Sequence, residues 1–187
     1  MARLPYLEPH ELAASDRELL DRDLNLYRIL AHSPDGARSF SAPALYVRHH
    51  SRLDPRLREL AIIQIGYQSR ISYEYAHHIE IGRDVGLSDD DIRAIAADSS
   101  GKPTHFNALE RAVLAAAREL GEKPNLSDEV YIALTRELDS ECIVDLIISI
   151  STYCGVVRLL GALQIELEPA YEKLVHEFPF ASSRSEK

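Results

Sequence analysis

Glu59, Glu74 and His78 are the residues of this chain whose types and spacing can do acid/base chemistry. Glu74 and His78 lie four apart, one helical turn, so on a helix their side chains meet. A helical wheel groups Ile71, Glu74, His78, Ile81 and Val85 on one face, apolar except for that pair. Glu59, further upstream, shares a stripe with Ile62, Ile63 and Gly66. A carboxylate in a low-dielectric pocket has its pKa raised, and can then hold or relay a proton near neutral pH. Two helices folded as a hairpin bring Glu59 towards Glu74–His78, giving two carboxylates and an imidazole for proton handling. The adjacent His77 falls on another face with Tyr73, Glu80 and Asp84, which reads as solvated.

Plainer readings stand beside this one. A Glu–His pair at i, i+4 is a common surface contact worth about 0.2–0.5 kcal/mol. Glu59 can be an edge residue paired with Arg56 or Arg58. Glu74 and His78 with one more ligand would suit zinc or iron, but no second motif at ligand spacing supplies it, so neither metal nor cofactor is expected. Arg158 interrupts a long apolar run, with Tyr153 upstream; it can anchor a substrate carboxylate, pair with an acid such as Asp145 of a neighbouring subunit, or snorkel to an edge. Arg158, Tyr153 and Tyr73 are taken as the candidate substrate contacts. His49–His50 end a helix, where a cationic cap is the simpler role.

The elements that position these groups follow from local signals. Asp54 as N-cap and Pro55 at the first helical position start a helix that is apolar nearly all round, and therefore central. The segment Ser69–Ser72 breaks it, and a second helix runs from near Ile71–Tyr73 to Val85, with Gly86 as its C-terminal cap. Before the hairpin, a helix is expected from Ser15 or Asp16 to His32, a loop over His32–Gly36, and a helix from Gly36 to His50 that contains Pro43. After it, helices are expected from Ser88 to Ala97, over 106–121, from Ser127 to Leu138 and from Ser140 to Leu167. Residues 1–15 read as an N-terminal arm, 16–167 as one all-α domain, and 168–187 as a C-terminal arm with a disordered tail from Ala181.

The chain of 187 residues suits one domain, and 45% apolar residues suffice for a core. A net charge of −9 argues against nucleic acid and anionic membrane surfaces as partners, while leaving room for an anionic small molecule. The N-terminus has no apolar stretch of signal length, and no uncharged run reaches membrane-span length, so a cytoplasmic protein is expected. The two cysteines, Cys142 and Cys154, sit twelve apart in one helical run and are expected to be free thiols.

The stretch Arg56–Ile92 resembles the carboxymuconolactone decarboxylase family, which includes the alkylhydroperoxidase D (AhpD) proteins. The family pattern there is a Glu-bearing helix, a C-x-x-C-x-x-x-H or Y-E-x-x-x-H segment, then A/G-x-x-x-G-L-[ST]-x-x-x-I. The segment LIISISTYCGVVRLLGALQIEL resembles the family's closing helix, and His32-Ser33-Pro34 fits its lead-in. The resemblance implies an AhpD-like helical fold assembled as a trimer or hexamer. It places the relay Glu at Glu59 and the motif His at His78. The two redox cysteines fall on Ile71 and Glu74, so the resemblance is to a branch without them. A thiol peroxidase needs an attacking thiolate and a resolving thiol; neither is here. The expected activity is decarboxylation or proton transfer on a small organic acid or lactone. An AhpD-like antioxidant protein with little thiol peroxidase activity, and a non-catalytic oligomeric ligand-binding protein, are the alternatives.

Overall fold

A computed structural model describes residues 1–181. Among them are nine α-helices: α1 Asn25–Leu30, α2 Pro34–His49, α3 Pro55–Ser69, α4 Ser72–Asp84, α5 Asp89–Ser99, α6 Ala108–Glu122, α7 Asp128–Thr135, α8 Ser140–Leu163 and α9 Glu172–Glu177. Short 3₁₀ segments cover Pro9–Glu11, Ala14–Leu20 and Pro169–Tyr171, and the described residues contain no strand. The fold is all-α, as expected. The disorder expected of the tail lies, from 182 onward, outside the described residues.

Helix α3 is the axis. The Asp54 carboxylate accepts from the Arg56 amide at 2.7 Å and caps it. Every residue from Leu57 to Tyr67 is buried, because α4, α6 and α8 pack around it. It stops at Arg70, which takes a left-handed φ of 55° and turns the chain into α4. The two helices cross closely at Gly66: a Cβ there would lie 2.8 Å from the Tyr75 amide nitrogen. That approach sets the hairpin that carries Glu59 on one arm and Glu74 and His78 on the other. Gly86 ends the turn after α4 at φ 90°, which lets Leu87 bury. By length and composition α8 could cross a membrane; here it lies against α2, α3 and α6 as a core helix.

Three elements differ from expectation, while the helix expected to contain Pro43 does run through it. The helix sought over 15–32 is a 3₁₀ segment and a separate α1. Leu24 is extended between them, because the Asn25 amide donates to Glu168 at 2.7 Å and its side chain donates to the Glu166 carbonyl. These long-range bonds replace a continuous helix. The His32–Gly36 stretch is only partly loop, since Pro34 takes the first position of α2. Pro43 does not interrupt α2, because Pro43 and Ser39, whose carbonyl it leaves without an amide donor, are both exposed and water can serve that group. Helix α8 ends at Leu163 rather than Leu167, because Arg3 donates to the Leu163 and Ala162 carbonyls and binds the N-terminal segment there.

Candidate active site

The hairpin brings Glu59, Glu74 and His78 into one buried line. His78 Nδ1 donates to Glu59 Oε2 at 2.6 Å, across the α3–α4 interface. On the other side of the ring, His78 Nε2 lies 3.0 Å from Glu74 Oε1. The exposures are 2% for Glu59, 3% for Glu74 and 7% for His78, so the surface-pair reading of Glu74 and His78 does not hold. The two contacts differ in quality. The Glu59 contact is a well-formed hydrogen bond, whereas Glu74 Oε1 is close to His78 but misaligned, and makes no hydrogen bond. Helix geometry explains this: a side chain one turn away on the same helix approaches the ring obliquely.

Charge around the line is balanced by Arg58. Its Nε donates to Glu59 Oε1 at 2.9 Å, and its guanidinium is itself buried beneath the α2 carbonyls of Val47 and Arg48. Glu59 therefore sits below the usual carboxylate range: burial pushes it up, but His78 and Arg58 outweigh that. This corrects the expectation of a raised Glu59. His78 and an inward-turned arginine make it an ionised partner and not a neutral proton store. His78 moves the other way. Burial disfavours its charge, yet Glu59 and Glu74 together push it up from 6.5 to about 9. At neutral pH Glu59 is therefore a carboxylate and His78 an imidazolium.

A cavity of about 90 Å³ opens over Glu74 and His78. Its apolar walls include Leu26, Leu30, Phe40, Ala44 and Val156, and Arg22 and Arg48 contribute to its lining. Tyr153 packs edge-on against the His78 ring, with centroids 4.8 Å apart, and also lines the cavity. Tyr73 lines it as well, so two of the three residues taken as candidate substrate contacts are at this cavity. The third is not. Arg158 is exposed and donates to the Cys154 carbonyl at 2.6 Å. It borders a different surface depression, near Lys123 and Ser151. Nor does Arg158 meet Asp145 within the chain; that carboxylate takes the Tyr46 and Ser51 hydroxyls and the Arg52 amide.

Sequence reasoning missed two contributors. His77 is buried, not solvated: its Nε2 bonds Glu168 at 2.7 Å, and its ring lies between Tyr73 and Tyr171. Arg48 also went unnoticed, although Phe40, Ala44 and Arg48 form a four-residue stripe on α2.

The geometry suits proton transfer better than metal binding. The two carboxylates lie at opposite ends of the imidazole ring and do not converge on one point, and among the described residues no set of three or more His, Cys, Asp or Glu gathers for an ion. Thiol chemistry is also poorly served. Cys142 and Cys154 share α8, so twelve residues separate them by about 18 Å. Burial holds both thiols above their usual pKa.

Residues 34–119 match the model of the carboxymuconolactone decarboxylase family. No curated protein sequence matches the chain. Among solved structures, an AhpD-core, peroxidase-related protein from Ralstonia eutropha JMP134 superposes with a TM-score of 0.77 at 19% identity, over 91% of this chain and 94% of its own. A cysteine-to-alanine variant of the debrominase Bmp8, bound to 2,3,4-tribromopyrrole, gives 0.75 at 18% identity, over 95% of this chain and 100% of its own. A peroxidase-related protein from Silicibacter sp. TM1040 gives 0.68 at 15% identity, over 91% and 93%. These similarities establish the AhpD-like helical fold.

Proposed function

We propose that this chain, which belongs to the carboxymuconolactone decarboxylase family and has no Cys-x-x-Cys pair, is an acid/base enzyme acting on a small organic acid or lactone. The observation that carries the reading is the buried Glu59–His78–Glu74 line ending at a cavity that Glu74 and His78 line. Buried, mutually perturbed acid/base groups at a cavity are the mark of a proton-handling site.

In this reading Glu74 meets the substrate and His78 supplies the proton behind it. Glu59, ionised and held by Arg58, keeps His78 charged and fixes its ring. For decarboxylation, the carbon–carboxylate bond breaks and carbon dioxide leaves. The electron pair stays on carbon, delocalised into a conjugated carbonyl of the substrate. The His78 Nε2 proton passes through Glu74 to that carbon, and solvent recharges the imidazole. The net change is a substrate carboxylate plus one proton giving carbon dioxide and a new carbon–hydrogen bond. Proton transfer alone, as in moving a lactone double bond, uses the same groups in both directions. The family's thiol peroxidase chemistry is disfavoured by the spacing of Cys142 and Cys154. Assembly as a trimer or hexamer belongs to the same proposal, and light scattering on the purified protein measures it.

The test is turnover of a panel of unsaturated carboxylated lactones and β-keto acids, read as released carbon dioxide. Glu74→Gln and His78→Gln should each abolish it, while Arg158→Met leaves it intact. Undiminished turnover in the first two variants would remove the site assignment.

A further inference from the structure

Two polar groups at the cavity lack a partner among the described residues. The Tyr153 hydroxyl makes no hydrogen bond, although its ring is fixed against His78. Arg48 forms no ion pair in a chain of net charge −9, although Asp23, Glu80 and Asp84 border the surface depression that adjoins the cavity and that Arg48 also lines. Most other arginines are engaged: Arg58 with Glu59, Arg56 with Asp91 and Glu110, Arg28 with Glu8 and Asp23. At the cavity, Arg22 forms no ion pair either, but it donates to the Tyr27 hydroxyl at 3.0 Å and lies over that ring, which leaves Arg48 as the guanidinium there without a side-chain partner among the described residues.

We propose that Arg48 and the Tyr153 hydroxyl form an anion subsite of this cavity, and that its ligand is a small, flat carboxylate with its charge at Arg48 and its body towards Glu74. The inference rests on this cavity being the substrate site, but not on which reaction occurs there.

Four features support it. Arg48 and Tyr153 both line the cavity. Their charges communicate: burial and the nearby Glu74 and Glu59 raise the Tyr153 phenol, and the Arg58 and Arg48 guanidiniums pull against that rise. A guanidinium and a hydroxyl are the donor pair that a carboxylate takes well, since the arginine fork matches its two oxygens. In the adjoining depression Asp23, Glu80 and Asp84 repel an anion, and the guanidiniums of Arg48 and Arg22 are what attract one to the cavity. Size then narrows the ligand. A cavity of about 150 Å³ holds benzene, and this one measures about 90 Å³. A five-membered ring or a four-carbon chain fits the interior if its carboxylate remains at the Arg48 end. Glu74, which lines the same cavity, then faces the part of the ligand remote from its charge. Arg48 thereby takes the anchoring role that sequence alone had assigned to Arg158.

Calorimetric titration with 2-furoate, and with its neutral amide 2-furamide, tests this. Wild type should bind furoate at least tenfold more tightly than furamide. Arg48→Met should weaken furoate roughly ten- to a hundredfold, the loss expected for one charge-assisted contact, while furamide binding stays unchanged. Tyr153→Phe should weaken furoate less, and Arg158→Met not at all. Glu74→Gln should still bind furoate, which separates this subsite from the proton-transfer reading: turnover can fail there while binding survives. Equal binding of acid and amide by wild type, no furoate binding by wild type, or unweakened furoate binding by Arg48→Met would each overturn the proposal.

Discussion

Replacing Glu59 with Gln should switch the charge of His78 at neutral pH. The substitution keeps the shape of the side chain and removes the carboxylate that His78 Nδ1 contacts at 2.6 Å. In the folded protein His78 rises from 6.5 to about 9, burial opposing and Glu59 and Glu74 prevailing, which corresponds to about 3 kcal/mol in favour of the imidazolium. Glu59 is the leading source of that rise, and Glu74 alone is misaligned. With Glu59 neutralised, burial should bring His78 below about 7. The assay is a pH titration of ring carbon–proton resonances in histidine-labelled protein, with the His78 signal identified by its loss in His78→Gln. The same change appears in stability. A histidine whose folded pKa is raised contributes fully below its unfolded value of 6.5, and the contribution is lost as pH rises through about 9. Breaking the buried pair should therefore cost about 3 kcal/mol in urea unfolding at pH 6, and clearly less at a pH above 9. A wild-type His78 titrating near 6.5, or a Glu59→Gln protein in which it still titrates near 9, would refute the reasoning.

Other outcomes follow from single contacts. Gly66→Ala places a Cβ within 2.8 Å of the Tyr75 backbone; it should lower stability by about 1–3 kcal/mol in thermal melts and reduce turnover by splaying the hairpin. Glu168→Gln weakens the bond to His77 and the acceptor for the Asn25 amide and Tyr73 hydroxyl; it should destabilise by about 1–3 kcal/mol, and faster proteolysis of the 164–181 segment would report it. Cys142→Ser with Cys154→Ser should leave substrate turnover unchanged, and hydroperoxide consumption with a dithiol donor should stay at background in wild type. A peroxidase rate that the double variant abolishes would reverse the view of those thiols.

Much of the site was legible because it rests on local rules. The four-residue step from Glu74 to His78, the Asp54–Pro55 start and the break near Arg70 define a hairpin, and a hairpin brings Glu59 to His78. What was not legible depends on distant partners. His77 is buried because Glu168, ninety-one positions later, returns to it, and no local pattern announces that. The direction of the Glu59 pKa turned first on His78 and then on Arg58 pointing inward under α2, where charged side chains seldom lie. Some missed signals were present. Tyr153 and Arg158, five apart, stand about 140° from each other on a helix, so one cavity does not take both. The Phe40–Ala44–Arg48 stripe, by contrast, puts a cation on the face that lines the cavity.

The most direct test of the proton line is product formed in deuterium oxide, analysed by mass spectrometry at the carbon that loses carbon dioxide. Wild type should place one deuteron there at its full turnover rate, and Glu74→Gln and His78→Gln should form no product above the uncatalysed background. Deuterated product at the wild-type rate from both variants would contradict the account.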